Sequence, residues 1–443
     1  MAYSYVTATE ALAALDARLY NQTFQFWTSA ELLLCLREAL RTFNAMAQFW
    51  RAEMVFPTVA NQWWYDLPSQ VASICPYTVT QLEIIQLIQH HLLEPANTSY
   101  PLTWTGSTQF TMTDLLVALQ RRQDDTLGTT GCIITRSTVA AALTTRTTLT
   151  DASIDIRRLA WLPDNTYTPK PINQSDFWAE RAFDPGWTTP PAEPPSNWMQ
   201  NTEPPISFDV DRVPPVSGQW DVLTVDSGSA FSASASALMS LPDDWTWVAK
   251  YGALSDLLSR ESPAKDIVRA EYCKQRYQEG LALLETAPLV LALRLNNIPM
   301  AVDAVVNADA FDPDWQGEAA GQPTRAFTTR NLIAFAPKPD SVYSATVSCC
   351  QNAPVPSVGG DYIQIAKDCY DSILDLSQHI AAFKLGGQEF LATIPLYQKA
   401  QRKAAQYNSK LKEMGFFEMP QLDLSQNNEM QNARYIPGAG PRD

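Results

Sequence analysis

The chain has 443 residues, of which 46% are hydrophobic and 18% charged, and its formal net charge is −15 at pH 7. This composition predicts a folded protein with room for two or three domains and excludes a largely disordered chain. The acidic balance opposes non-specific binding to nucleic acid, which needs clustered Lys and Arg to displace counterions. It is compatible with DNA that passes through an acidic channel without being held.

Cysteine and histidine usage argues against a metal site or a histidine-based active site. The seven cysteines form no CxxC pair, and there are only three histidines, so we expect buried free thiols and no cofactor. The longest apolar run, 287–295, is too short to span a bilayer. The N-terminus has no basic region ahead of an apolar one, which predicts no signal peptide and synthesis in a cytoplasm.

The first third of the chain predicts mixed secondary structure. Thr28 to Glu31 has the spacing of a capping box and opens an amphipathic helix. In 81–90, β-branched residues favour a strand, although a helix also fits the pattern. The other predicted elements are a helix at 8–20, a strand at 63–67, a helix at 114–122 and strands at 129–134 and 151–162; residues 137–148 fit either a helix or an irregular segment.

Residues 163–218 differ from the rest because prolines recur throughout and Trp178, Trp187 and Trp198 lie among them. Prolines break regular elements, while a linker rarely carries so many aromatics. We therefore predict an extended arm that lies on the protein's own surface or on a neighbouring subunit. Beyond it we expect a strand at 220–225, helices at 245–259, 266–284 and 288–295, and strands at 331–336 and 342–349 paired around the turn 337–340.

The stretch 361–414 predicts a helical hairpin. Apolar residues recur every three or four positions in both halves, and Gly386-Gly387 supplies a left-handed C-cap between them. Strands 331–336 and 342–349 and the helix at 31–50 are its expected packing partners. A basic face and the polar tail beyond Pro420 are predicted to contact a partner through these residues: Lys399, Arg402, Lys403, Lys410, Lys412, Arg434 and Tyr435.

Together these patterns predict an α+β fold: a helical bundle module, made of N-terminal helices and the C-terminal helical hairpin, with small antiparallel β elements and a large Pro/Trp-rich insertion. The predicted divisions are 1–162 (N-terminal part of the module), 163–218 (arm or linker), 219–330 (mainly helical insertion), 331–419 (β-hairpin and helical hairpin) and 420–443 (polar tail docked on a neighbour).

No motif of nucleotide binding, zinc hydrolysis or nucleophilic catalysis is present. Asp309, Asp312 and Asp314 lack the spacing of a calcium loop, so a structural turn is the better interpretation. His90-His91 would point to opposite faces of a strand, which favours a solvated pair over metal ligands. Trp63-Trp64 with Trp104 is compatible with a sugar-stacking platform or with core packing. We predict no enzymatic activity.

Several blocks of the sequence resemble head–tail connector (adaptor) proteins of tailed bacteriophages. An N-terminal helical block is followed by Tyr65-Asp66-Leu67-Pro68, which matches the "Y-x-LP" strand of that family. The turn Pro337-Lys338-Pro339-Asp340 matches its "P-x-P-D" hairpin, and Asp371 to Ala381 matches its "D-x-I-L-D-x-x-x-H-x-A" helix. IDIRRLAWLP at 154–163 belongs to the same pattern, whereas most of 163–330 has no counterpart in those shorter proteins.

The resemblance implies a non-enzymatic virion protein at the head–tail junction or tail: a homo-oligomeric ring seated on the portal protein, contacting other neck or tail proteins, with DNA passing through its lumen and no membrane involved. The length leaves open whether the chain is the adaptor itself or an enlarged neck, collar or tail protein. A tail- or collar-associated protein that binds a receptor or glycan through its tryptophan-rich loops is the alternative.

Overall fold

The computed structural model describes residues 5–21, 24–70, 77–104, 109–164, 168–183, 192–287 and 290–413. The first elements are α1 (Ala8–Arg18), α2 (Ser29–Ala47), β1 (Arg51–Pro57), β2 (Trp64–Asp66), α3 (Leu67–Gln70), α4 (Gln81–His91) and α5 (Met112–Thr130). The middle of the chain contains β3 (Thr135–Ala141), β4 (Arg146–Thr148), β5 (Ser153–Pro163), β6 (Lys170–Gln174), α6 (Phe177–Phe183), β7 (Asn197–Asn201), β8 (Ser207–Val210) and β9 (Gly218–Asp226). The remaining elements are α7 (Thr246–Ser259), α8 (Ile267–Thr286), β10 (Val290–Leu295), β11 (Ile298–Ala304), α9 (Val305–Phe311), β12 (Arg325–Thr329), β13 (Leu332–Ala336), β14 (Ser344–Cys350), α10 (Lys367–Ala382), α11 (Gly387–Leu391) and α12 (Ile394–Glu413).

The strands form two seven-stranded sheets. The first has the order β1-β14-β10-β11-β12-β13-β2, and the second has the order β3-β9-β5-β6-β7-β8-β4. In the second sheet the edge strands β3 and β4 are joined by only four residues, 142–145. Such a link spans less than about 20 Å, so the sheet must curl into a nearly closed barrel. Trp161, Trp198 and Trp220 are buried inside it.

The two sheets have the same topology. Numbered in chain order within each sheet, both run 1-7-3-4-5-6-2. In both, the only parallel pair among the strand pairings of the described residues joins strands four and five: β11 with β12, and β6 with β7. A seven-residue helix, α9 or α6, makes the crossover between these two strands in each sheet.

The helices around each sheet also correspond. An 11-residue helix and a 19-residue helix precede the first strand in each case: α1 and α2 before the first sheet, α4 and α5 before the second. Each sheet is followed by a helix pair that ends in a 20-residue helix, α12 or α8. The residue before the 11-residue helix forms an isolated bridge to the segment after the seventh strand, as Thr7 with Tyr362 and as Thr80 with Leu238.

The chain is therefore an internal duplication in which one copy is nested inside the other. We call residues 5–66 together with 290–413 repeat A, and residues 77–287 repeat B. Repeat B is inserted between the second and third strands of the repeat A sheet. The insertion separates β2 from β10 in sequence, although both belong to one sheet.

The predicted α+β helical bundle with small antiparallel β elements is wrong, because two seven-stranded sheets account for a large part of the fold. Residues 163–218, predicted to be an extended arm, supply β6, α6, β7 and β8 to the second sheet. Their short strands fit between the prolines, and Trp198 fills the barrel. Of the other two tryptophans, Trp178 is 78% exposed on α6 and Trp187 lies outside the described residues. The segment 219–330, predicted to be mainly helical, contains strands β9 to β12 in addition to helices α7 and α8.

Five local predictions were also wrong. The segment 81–90 is helix α4, because Ile84, Ile85 and Ile88 share one buried face and Thr80 caps its first turn. The segment 288–295 contains strand β10 rather than a helix, since a short apolar run does not distinguish the two. Residues 129–130 end α5, and 137–148 contain β3 and β4. Strands β13 and β14 exist but pair with other strands instead of each other.

The predicted C-terminal hairpin is present in its main features. Gly386 and Gly387 have positive φ values of +63° and +52°, which glycine adopts without strain, although Gly386 with ψ −169° is not the predicted left-handed cap. Helix α12 begins one residue before Pro395. Helix α10 packs on α1, α2 and α12. Among the described residues, no helix combines the length and the apolar character needed to cross a membrane.

Candidate functional site

The sequence-predicted contact residues lie on α12 or beyond the described residues. Lys399 Nζ donates to Asp375 at 2.6 Å and Lys403 Nζ donates to Asp368 at 2.9 Å, so both form ion pairs with α10. Arg402 is exposed. Lys410 and Lys412 belong to the last turns of α12, whereas Arg434 and Tyr435 lie outside the described residues. Their role in partner contact stays a prediction.

The other residues considered from the sequence are part of the packing. Trp64 is 5% exposed and its ring meets that of Trp315 at 6.0 Å, so it cannot stack on a sugar. Asp309 accepts from the guanidinium of Arg158, with 2.5 Å and 3.0 Å between the atoms, and from the Trp315 indole at 2.9 Å. Within the part of the chain that is described, no group of three His, Cys, Asp or Glu side chains could hold a metal ion.

A buried region rich in polar groups lies between the two repeats, and we call it the inter-repeat seam. Repeat A contributes α2, the end of α10 and the start of α12. Repeat B contributes α4, the 3₁₀ turn Asp243–Trp245, α7 and α8. Helix α2 is consequently buried on all sides over most of its length.

A buried ion pair lies at the centre of the seam. Lys250 of α7 is fully buried, and its Nζ donates to both carboxylate oxygens of Glu38 on α2, at 2.5 Å and 2.6 Å. The Nε2 atom of His91 lies 3.2 Å from the same Nζ and can accept its third hydrogen. Burial, followed by the charge of Lys250, lowers the pKa of His91 well below its usual value. The imidazole is therefore neutral at physiological pH, as an acceptor must be.

Further polar contacts flank this pair. Arg41 of α2 pairs with Glu83 of α4. Asn44 Nδ2 donates to Asp244 at 2.5 Å, and the backbone N–H of Ala353 also donates to that carboxylate. Burial raises the pKa of Asp244 to about 7. A buried carboxyl group is tolerated in this position because both of its oxygens accept hydrogen bonds.

The second half of the seam is aromatic. The Tyr272 hydroxyl lies 2.5 Å from His379 Nε2, and Thr393 Oγ1 lies 2.8 Å from His379 Nδ1. Burial, with smaller contributions from nearby cations, lowers the pKa of His379 to about 3. The Arg276 guanidinium stacks over the Tyr397 ring at 4.2 Å and bonds its hydroxyl. Helix α8 of repeat B is thus fixed to α10 and α12 of repeat A.

Two cavities lie next to the seam. One of about 100 Å³ is lined by Asn44, Gln48 and Asp244, and the Oε1 atom of Gln48 has no protein partner there. A wider cleft of about 740 Å³ is lined by residues that include Arg136 and Asp226, each already bonded to a neighbouring side chain.

Several titratable groups of the seam have shifted pKa values. Burial raises the pKa of the Cys35 and Cys273 thiols, so neither is a thiolate at physiological pH. The three histidines all have lowered pKa values; that of His90 falls to about 4 through burial and the Lys384 charge. The seam instead contains paired charges and stacked rings, which hold two surfaces in one register.

The two repeats meet through different faces. Repeat A uses α2 for the contact with α4, whereas the equivalent helix of repeat B, α5, packs on α7, α8 and β9. Helix α1, the equivalent of α4, packs on α2 and α10 within its own repeat. A pseudo-two-fold arrangement would bring α5 against α1, and no such packing occurs among the described residues. The contact is therefore heterologous, or head to tail.

A repeated helix-capping pattern in the sequence is a local signal of this duplication. A Thr followed three residues later by an acidic residue opens four helices: Thr7 to Glu10, Thr28 to Glu31, Thr80 to Glu83 and Thr111 to Asp114. The second and fourth patterns are each followed by Leu-Leu. The spacing from the first to the third and from the second to the fourth is similar, 73 and 83 residues.

The chain matches no protein-family model, and it has no significant similarity to a curated protein.

Proposed function

We propose that this chain is a virion structural protein of a tailed phage: a ring-forming head-to-tail adaptor or neck subunit that joins the portal to the tail and lets DNA pass. The observation that carries the proposal is the head-to-tail contact between repeats A and B. A heterologous contact leaves one unmatched face at each end, and repetition of such a contact produces rings or filaments. A single chain with this arrangement has the geometry of two consecutive subunits of a larger assembly.

The resemblance to connector proteins supports the same assignment. The helical block at 32–53, the Tyr65–Pro68 stretch and the late block from 332 onwards belong to repeat A or to its border with α3, and the matching block at 154–163 forms strand β5 of repeat B. Repeat A by itself has the shorter length expected of an adaptor. The sequence between 77 and 287 forms the second repeat, and most of it has no counterpart in adaptors. The chain would therefore be longer than an adaptor because it contains a second copy of the fold.

The chemistry of the described residues supports a structural role. The seam uses ionic and aromatic groups to hold helices together, and the net charge of −15 suits a surface that does not retain DNA. The protein would contact the portal and other neck or tail proteins as well as copies of itself.

Two measurements test the proposal. Mass measurement of the purified protein should reveal a homo-oligomer, and imaging of particles labelled through an antibody to this chain should place it at the neck. A protein that is absent from purified particles would contradict the proposal. Label at the tail tip, with binding to host cell-wall material, would favour the receptor-binding alternative.

A further inference from the structure

The duplication allows each residue of the seam to be compared with its equivalent in the other repeat. Helices of equal length are matched from their first residues: α2 with α5, α1 with α4, and α12 with α8. The matches agree with burial, since Ala11, Leu12 and Leu15 of α1 are buried like Ile84, Ile85 and Ile88 of α4. Backbone bonds agree as well: Ala8 N–H donates to Asp361 at 2.8 Å, and Gln81 N–H donates to Ala237 at 2.9 Å.

Helix α5 exposes the stripe that its equivalent buries. On α2, Leu34, Glu38 and Thr42 are at most 8% exposed, because repeat B and the neighbouring helices cover this face. Their equivalents on α5 are Val117, Arg121 and Asp125. Val117 is 61% exposed, and Arg121 and Asp125 are also exposed. Val117, the apolar member of this solvent-facing stripe, is therefore the counterpart of the buried Leu34.

Helix α1 exposes the complementary surface. On α4, Glu83 binds α2 through Arg41, and Leu87 packs into the core of repeat A. Their equivalents on α1 are Glu10, which is exposed, and Ala14, which is partly exposed. Ala17, the equivalent of His90, is exposed too, so this face of α1 is small and apolar with one acidic residue.

Helix α12 extends the same surface. Its Lys399 and Lys403 are equivalent to Tyr272 and Arg276 of α8, the residues that fix α8 to repeat A within the seam. Lys399 is exposed and Lys403 is partly exposed. Two of the basic residues that the sequence predicted for partner contact are thus placed where the duplication requires an interface.

We infer that a second copy of this chain is the partner of both surfaces: the α5 stripe of one copy docks on the α1 and α12 surface of the next and continues the seam from chain to chain. The occupant follows from the internal contact, which already joins the equivalent faces. This inference rests on the proposed function, whose rings need such a contact.

The test uses the full-length chain with substitutions on exposed positions. Val117→Arg disables the donor stripe, and Ala17→Arg disables the acceptor face by placing a long cationic side chain on its small apolar surface. Each should weaken self-association by about 30-fold or more, the equivalent of about 2 kcal/mol at 1.4 kcal/mol per tenfold. Leu143→Arg, at a residue 59% exposed on the barrel of repeat B, is the matched control and should leave association unchanged.

Mixing the two defective variants gives the sharper test. Each keeps one intact surface, so sedimentation velocity should find monomers in each sample alone and a 1:1 dimer that grows no further in the mixture. An oligomer unaffected by Val117→Arg, or a mixture that stays monomeric, would overturn the inference while leaving the protein's place in the virion intact. Association that behaves as expected in a protein absent from particles would support the inference and refute the proposed function.

Discussion

Replacing Lys250 by Met should be among the most damaging single changes in the seam. Lys250 is fully buried and Glu38 is 3% exposed, with 2.5 Å and 2.6 Å between the ammonium and the two carboxylate oxygens. The substitution keeps most of the volume but leaves the Glu38 carboxylate in the seam without its cation. Removing one partner of a buried pair costs about 3–5 kcal/mol, because the remaining charge has lost its solvent and its counterion.

The double variant Lys250→Met/Glu38→Leu distinguishes the net contribution of the ion pair from the cost of leaving one buried charge unpaired. With both charges absent, the seam becomes apolar and the free energy of unfolding should return to within about 1–2 kcal/mol of the parent. The exposed pair of Arg212 and Glu193, whose side chains are 42% and 51% accessible, provides the surface control. Arg212→Ala should cost less than about 1 kcal/mol.

Urea denaturation of all four proteins provides the comparison. Tryptophan fluorescence and circular dichroism should be recorded together, because a nested protein of this size unfolds in one step only if both signals coincide. A shift in midpoint at constant slope measures stability. The reasoning fails if Lys250→Met costs less than about 1 kcal/mol, or if the double variant is no more stable than Lys250→Met.

Three further outcomes are expected. Burial lowers the pKa of His379 to about 3, so its contribution to stability is present above pH 6.5 and is lost as the pH falls. The free energy of unfolding should decrease by about 2 kcal/mol between pH 7 and pH 5. Thermal unfolding of a His379→Gln variant over that range should show a smaller decrease. Burial raises the pKa of Asp244 to about 7, so its contribution to stability is present below pH 3.8 and is lost as the pH rises through 7. The loss amounts to about 4 kcal/mol at pH 8. The urea midpoint of Asp244→Asn should therefore decline less with rising pH than that of the parent. Thr111→Ala removes a side-chain cap from α5 and should cost about 1 kcal/mol by thermal unfolding, and a much smaller cost would show that tertiary packing fixes this helix end.

Much of the helical structure was predictable from local chemistry. Threonine caps and 3.6-residue periodicity located α1, α2 and α5, and the glycine pair at 386–387 marked the break before α12. Strands with clear alternation, such as β5, were also found. These features depend on residues close in sequence, so one chain is enough to predict them.

The site itself needed the tertiary structure. Lys250 and Glu38 are separated by 212 positions, and the charged residues of α2 look like a solvated face when the helix is considered alone. Only the docking of repeat B shows that this face is buried. The pattern at 81–90 fitted both a helix and a strand. Isoleucine favours strands locally, and the tertiary packing of one helical face outweighs that preference.

The sequence by itself determined where most of the helices lie, the lack of recognisable catalytic motifs and the acidic balance of this protein. The tertiary structure decided that strands from both ends of the chain form one sheet, that the proline-rich segment builds a barrel, and that the protein contains the same plan twice. The physical reason is that strand pairing and the burial of ionic residues join positions hundreds of residues apart. The helix caps and the spacing of apolar residues are the sequence features that the two repeats share most clearly. These features are compatible with one topology, but the duplication becomes evident only from the pairing of the strands.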